Sequence, residues 1–135
     1  MSGRLDWTEL LFSSAGRLSR APFMLAGATL VLVAVLYEAL LAPPARWVIG
    51  IVVYPFLVFC GVSITAKRLH DRGRSGWWAA VVLAAVMAVW TFQQNYFDFL
   101  FSLVLIWAVV ELCAMPGEQG ANRYGPNPLR GPVAI

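Results

Sequence analysis

Apolar residues run almost unbroken through four stretches of this chain, 22–42, 47–66, 77–92 and 97–115. Polar residues collect in the short pieces around them. About 20 apolar residues in a helix span the hydrocarbon core of a bilayer, so the pattern predicts four transmembrane helices. The third stretch is the shortest; it extends through Gln93 or sits where the bilayer thins. Ahead of the first, residues 5–12 place Trp7, Leu10 and Leu11 at helical spacing, which predicts a short helix lying in the membrane interface. Ser13-Ser14-Ala15-Gly16 reads as a turn. Ser19 suits the N-cap of the first span, with Pro22 in its first turn, where a missing N–H does little harm. Pro43-Pro44 predicts a break, and the short loop 43–46 makes the first two spans antiparallel neighbours. Pro55 predicts a kink in the second span, and 93–96 a second outer connection. Ala80, Ala84 and Ala88 form a small-residue stripe suited to close helix approach.

Charge gives this pattern a direction. Of the 10 Lys and Arg residues, Arg46 alone falls between the first two stretches. Arg4, Arg17, Arg20, Lys67, Arg68, Arg72, Arg74, Arg123 and Arg130 all fall on the other side. Basic residues in short loops mark the cytoplasmic side, so both termini and the 67–76 loop are predicted to be cytoplasmic. Trp47, Trp90, Phe92 and Tyr96 then mark the outer interface, and Trp7, Trp77 and Trp78 the inner one. The composition agrees: 13% charged residues, against about 25% in an average soluble domain. The expected fold is all-α, an integral membrane four-helix bundle forming one domain over 1–135, N-in and C-in, with 116–135 as a cytoplasmic tail. The net charge of +3 is accounted for by these loops, so nucleic acid is not an expected partner. The first stretch is too long for the core of a cleaved signal peptide and runs into prolines, so it is read as a retained helix. Cys60 and Cys113 lie toward the cytoplasmic ends of their spans and are expected to stay reduced. With one histidine and no CxxC, no metal or cofactor is expected.

The densest polar stretch is 67–78. Gly73 and Gly76 free its backbone for a tight turn, and Ser75 is placed to cap the third span. The first and third spans both start on the cytoplasmic side beside arginines, an arrangement that suits an anion such as a lipid phosphate. Arg17, Arg20, Arg68, Arg72 and Arg74 are the candidates for binding anionic lipid or a partner, with Arg17, Arg68 and Arg72 foremost for anion or carboxylate contacts. The plainer reading of the same charges is topology. His70 and Asp71 make at most part of a catalytic site; with Ser75 they are read as residues that orient the loop. Glu111 lies at membrane depth and is expected to pair with Lys67, Arg68 or Arg20. Glu38 and Asp98 reach the outer interface. The tail, rich in Gly and Pro, is expected to fold back over the loop and the 16–20 turn as one cap.

Three segments resemble a known family: Gly16-Arg17-Leu18-Ser19-Arg20, Arg68-Leu69-His70-Asp71-Arg72-Gly73-Arg74-Ser75-Gly76-Trp77-Trp78 and Asn122-Arg123-Tyr124-Gly125-Pro126-Asn127-Pro128. In order and spacing they resemble the small bacterial inner-membrane proteins grouped as domain of unknown function 805. Ala21-Pro22-Phe23 departs from that family's pattern, which has a polar residue followed by an aromatic pair with Trp. The resemblance implies a multi-pass inner-membrane protein and no particular activity. The expected function is a non-enzymatic accessory or scaffold module that binds membrane lipids or a membrane-protein partner. The alternatives are a small oligomeric transporter or channel and, last, an enzyme acting on lipid headgroups.

Overall fold

The computed structural model describes residues 6–91 and 96–130, without the side chains of 90, 91 and 96–98. Five α-helices follow in order: α1 (Trp7–Phe12), α2 (Arg20–Leu40), α3 (Pro43–Asp71), α4 (Trp78–Thr91) and α5 (Tyr96–Val109). A π-helical turn, Val110–Ala114, continues α5. Among the described residues there is no strand, only an isolated bridge between Asn122 and Gly125. Of the connection predicted at 93–96, Tyr96 already begins α5 and 93–95 lie outside the described residues, as do Arg4, Phe92 and the side chains of Trp90, Tyr96 and Asp98.

A helix as short as α1 does not hold itself in water. Here both ends are tied. Asp6 Oδ1 accepts the Thr8 N–H at 3.0 Å, the Thr8 hydroxyl at 2.5 Å and the Glu9 N–H at 3.3 Å. Those donors, the hydroxyl first, hold the Asp6 carboxyl below its ordinary pKa. At the other end the Lys67 ammonium donates to the carbonyl of Glu9, which also accepts the Ser13 N–H at 3.3 Å, and to that of Leu10. Leu10 is buried in a cluster with Leu18, Ala26 and Ile64. The Phe12 ring lies 5.8 Å from Phe56 and 6.2 Å from Phe59. The predicted N-terminal helix is therefore docked along α3.

α3 differs most from expectation. Pro43 and Pro44 do not form a loop; they occupy the first turn of the helix, where the missing N–H groups have no partner to lose. The helix continues through Pro55 and past 66 to Asp71, so Lys67, Arg68, His70 and Asp71 are helical instead of loop residues. Polar residues remain helical there because other segments satisfy their side chains. Gly73 then ends α3. It takes φ +69, its N–H bonds the His70 carbonyl at 3.0 Å, and the Arg74 N–H bonds the Leu69 carbonyl at 2.9 Å. This is a Schellman motif, in which a left-handed residue folds the chain back over the last helical carbonyls.

Among the described residues, α2 and α3 are the two helices long and apolar enough to cross a membrane; α4 and α5 are shorter apolar helices. α2 packs on α3, α3 on α4, and α4 on α5, while the π-helical turn returns to α2 and α3. Burial is concentrated at the end where α3 stops and α4 begins, called the polar end below. There Ala66, Leu69, Ala79, Val82, Ala108 and Leu112 form one core cluster, bordered by Phe23, Val62 and Trp107. The packed face of α4 carries Ala79, Val82 and Ala85. The Ala80 and Ala84 positions of the predicted stripe are exposed and Ala88 is half-buried, because the core selects a face one residue away.

Candidate functional site

The polar end is built around one carboxylate. Asp71, in the last turn of α3, accepts Arg17 Nε on Oδ1 at 3.0 Å, with Arg17 Nη2 in ion-pair range at 3.0 Å, and accepts Arg68 Nη1 on Oδ2. The three side chains are 4%, 1% and 0% exposed. Each arginine reaches further. Arg17 donates to the carbonyls of Glu118 and Gly120, both at 2.6 Å, and of Gly125 at 3.4 Å. Arg68 donates to Leu112 and Met115, both at 2.7 Å, and to Leu18 at 3.3 Å. Carbonyls at the C-terminal end of α5 lack intrahelical partners. Guanidinium groups supply them, with Arg20 bonding Ala114 at 3.0 Å, and the positive charge suits the negative end of the helix.

The tail is folded over this node. The Glu118 N–H bonds the Asp71 carbonyl at 2.8 Å. Asn122 Nδ2 donates to the His70 carbonyl at 2.9 Å and to Glu118 Oε2 at 2.6 Å, while its Oδ1 accepts the Tyr124 N–H at 2.9 Å. The His70 and Tyr124 rings stack at 3.9 Å and 7°. His70 Nδ1 lies 3.1 Å from the Gly16 carbonyl, which fixes the proton on that nitrogen because a carbonyl only accepts. Gly117 passes so close that a Cβ there would fall 1.9 Å from Asp71 Oδ2. Thus the 16–20 turn, the end of α3 and the tail form one surface.

A second carboxylate, Glu111, sits in the π-helical turn. Its Oε1 accepts Arg72 Nε and Nη2 at 3.2 and 3.0 Å and Arg74 Nε at 2.8 Å. The expected partners were Lys67, Arg68 or Arg20, and all three point elsewhere: to α1, to the Asp71 node and to Ala114. The reason is the helical continuation of α3, which turns Lys67 and Arg68 away. The reversal at Gly73 then brings Arg72 and Arg74 beside α5. Arg74 also lies 5.8 Å from the Trp107 ring centroid. Ser75 Oγ accepts the Trp77 N–H at 3.4 Å, ahead of α4.

Of the five arginines singled out from sequence, Arg17, Arg68 and Arg72 meet carboxylates and carbonyls of this chain. Arg20 and Arg74 are exposed. Sequence reasoning missed Arg130, which lines a cavity of about 380 Å³ together with Ser19, Arg20, Asp71, Gln119 and Asn127. Nothing in the local sequence around Arg130 signals this; the fold of the tail puts it there. His70 and Asp71 are each engaged by the tail or by arginines, an arrangement that orients backbone. Among the described residues no group of His, Cys, Asp and Glu is placed to hold a metal.

At the opposite end, Glu38 Oε2 pairs with Arg46 at 2.9 Å, and the Tyr54 hydroxyl donates to Oε1. The Tyr37 hydroxyl donates to the Arg46 carbonyl at 2.5 Å. These contacts join α2 to α3 alone.

No solved structure matches this chain. Over 77 residues it is 36% identical to the uncharacterized protein YiiR of Escherichia coli (strain K12), and equally to YiiR of Escherichia coli O157:H7. The alignment covers 51% of this chain and 53% of each relative, so the chain spans about half the length of the curated relatives it matches. The pieces that meet at the polar end, from the 16–20 turn to Gly125, fall within residues 11–126, which match the family described as Protein of unknown function (DUF805), and the chain belongs to that family.

Proposed function

We propose that this chain is a non-enzymatic module of the bacterial inner membrane. In this reading four helices, α2 to α5, cross the bilayer, and the polar end is a preformed cytoplasmic cap that binds anionic lipid or a membrane-protein partner. The carrying observation is the buried Arg17–Asp71–Arg68 node, whose ion pairs and Arg17–carbonyl bonds join the 16–20 turn, the end of α3 and the tail into one polar surface. A surface assembled at that cost of desolvation fits recognition better than a flexible topogenic loop does. The apolar exposure supports the membrane part. Leu40, Trp47, Val48, Ile51 and Val52 are each more than 70% exposed, and lipid is the medium that such a face matches. The orientation follows from charge: Lys67, Arg68, Arg72 and Arg74 lie at the polar end, and between the first two spans Arg46 is the one basic residue.

The test has two parts. With Cys60 and Cys113 replaced, a cysteine at Ser75 should resist an impermeant reagent in intact cells and react once the cells are opened. Labelling in intact cells would overturn the orientation. Purification in mild detergent should then retain anionic lipid or a stoichiometric membrane protein. A homo-oligomer holding neither would move the reading to a transporter or channel.

A further inference from the structure

We propose that the cavity between the start of α2 and the folded tail is a phosphate-binding site, with Arg20 and Arg130 as its ligands; this deepens the reading of the polar end as an anion-recognising cap. The argument starts from which charges are already matched. Asp71 answers Arg17 and Arg68, and Glu111 answers Arg72 and Arg74. Arg20 and Arg130 are answered by no carboxylate among the described residues, yet they line the same cavity. Arg20 commits one N–H to the Ala114 carbonyl and has further donors to offer. The Arg130 side chain makes no hydrogen bond or ion pair with a described residue, while its backbone is fixed by the Asn127 carbonyl at 3.1 Å.

Asp71, the one carboxylate in the lining, has both oxygens engaged and does not balance this pair. Two unneutralised guanidiniums bordering one cavity repel each other, and an anion between them removes that repulsion and satisfies their forked donors. The Ser19 hydroxyl, which makes no cap bond to α2, adds a neutral donor to the same wall. A volume of about 380 Å³ lies in the usual range for small ligands and exceeds what a single phosphate group fills. The site thus admits a phosphate that carries a substituent. In the proposed topology the start of α2 lies at headgroup level, so the phosphate comes either from a lipid headgroup or from a free phosphate in the cytoplasm.

The experiment uses the full chain in a neutral detergent with two probes, a short-chain phosphatidylglycerol and inorganic phosphate, each against chloride at equal ionic strength. Binding of the lipid alone assigns the headgroup, and binding of inorganic phosphate assigns the free anion; either supports the site. Arg20→Gln and Arg130→Gln should each weaken the binding by about tenfold, the loss of one charge-assisted pair. Arg123→Gln should bind as the wild type does, because Arg123 lies over the Tyr124 ring outside the cavity. Arg130→Gln removes no hydrogen bond or ion pair within the described fold, so an unchanged thermal midpoint should accompany its weaker binding. If both cavity variants bind normally while Arg74→Gln loses the ligand, this site is wrong and the anion-recognising cap stands. If the wild type binds neither probe, the site and the anion-binding reading of the cap fall together.

Discussion

Each end of the molecule carries a carboxylate beside arginine, and the two behave as opposites. At the polar end, Arg17 and Asp71 are 54 residues apart in sequence and all but dry, with 1% and 4% of their side chains exposed. At the other end, Glu38 and Arg46 are 8 residues apart and roughly a third exposed. The first pair exists only when the 16–20 turn and the end of α3 have met, and Arg17 then also holds the tail through the Glu118 and Gly120 carbonyls. The second forms within one helical hairpin. A buried carboxylate between two guanidiniums adds little net stability beyond what apolar packing would give, but it penalises every arrangement that leaves one of the three unpaired. The polar end is thus a fold-wide lock, and the far end a local clasp.

Breaking the lock should have the largest effect. Asp71→Asn leaves Arg17 and Arg68 facing each other in a closed site without their anion. Removal of one partner from a buried pair costs about 3–5 kcal/mol, so the thermal midpoint in detergent should fall steeply and the tail should become sensitive to protease. An unchanged midpoint would show that the node is incidental to the fold. Gly117→Ala is a gentler entry to the same contact. Its Cβ would fall 1.9 Å from Asp71 Oδ2 and 2.5 Å from Cγ. Because Asp71 is pinned by two arginines, the tail must lift instead, at about 1–3 kcal/mol, the usual cost of overpacking. Protease sensitivity confined to the tail, with the helices intact, would show that this strain is local.

This contrast also explains what was legible in the sequence. Apolar periodicity showed the helical character and set the positions of α2, α4 and α5 to within a few residues, because length and hydropathy are local properties. It also showed that Arg17, Asn122 and Tyr124 belong to polar, turn-rich pieces. It did not show that α3 continues through Lys67 to Asp71. That continuation depends on partners from other segments: the α1 carbonyls for Lys67 and the α5 carbonyls for Arg68. The same gap sent Glu111 to the wrong partners, since a loop would have left Arg68 free to turn toward α5 as a counter-ion. Pro43-Pro44 misled for a different reason. Proline punctuates a chain equally well as a break or as a first turn, and the side that wins depends on where the neighbouring helix stops. Arg130 was invisible because its cavity is a product of the tail's fold.

An intermediate effect separates the tail's anchor from the lock. The stack of His70 on Tyr124 should contribute about 0.5–1.5 kcal/mol. Tyr124→Ala should lower the thermal midpoint modestly. A double-mutant cycle with His70→Ala should show coupling of that size. Coupling near zero would mean that Asn122 and Glu118 alone hold the tail against α3.

The smallest effect is expected at the clasp. Glu38→Gln keeps the shape of the side chain and its bond from Tyr54 but removes the charge opposite Arg46. Both partners retain roughly 30% of their exposure, and pairs of that kind are worth about 0–1 kcal/mol after screening and side-chain entropy. The midpoint should therefore change little and the tail should keep its protease resistance, because no contact from this cluster reaches the polar end. The variant leaves Arg46 without its counter-charge, which allows a second, topological test. The hairpin becomes net positive, yet in the proposed topology its translocation should stay as complete as in the wild type, since Lys and Arg set loop orientation and acidic residues contribute little. Cysteine labelling of the 43–46 turn in intact cells, compared between Glu38→Gln and the wild type, measures this. Reduced labelling in the variant would mean that the Glu38 charge itself helps to set the orientation of that loop. A stability loss as large as that of Asp71→Asn would reverse the comparison and make the clasp, not the lock, the point on which the fold depends.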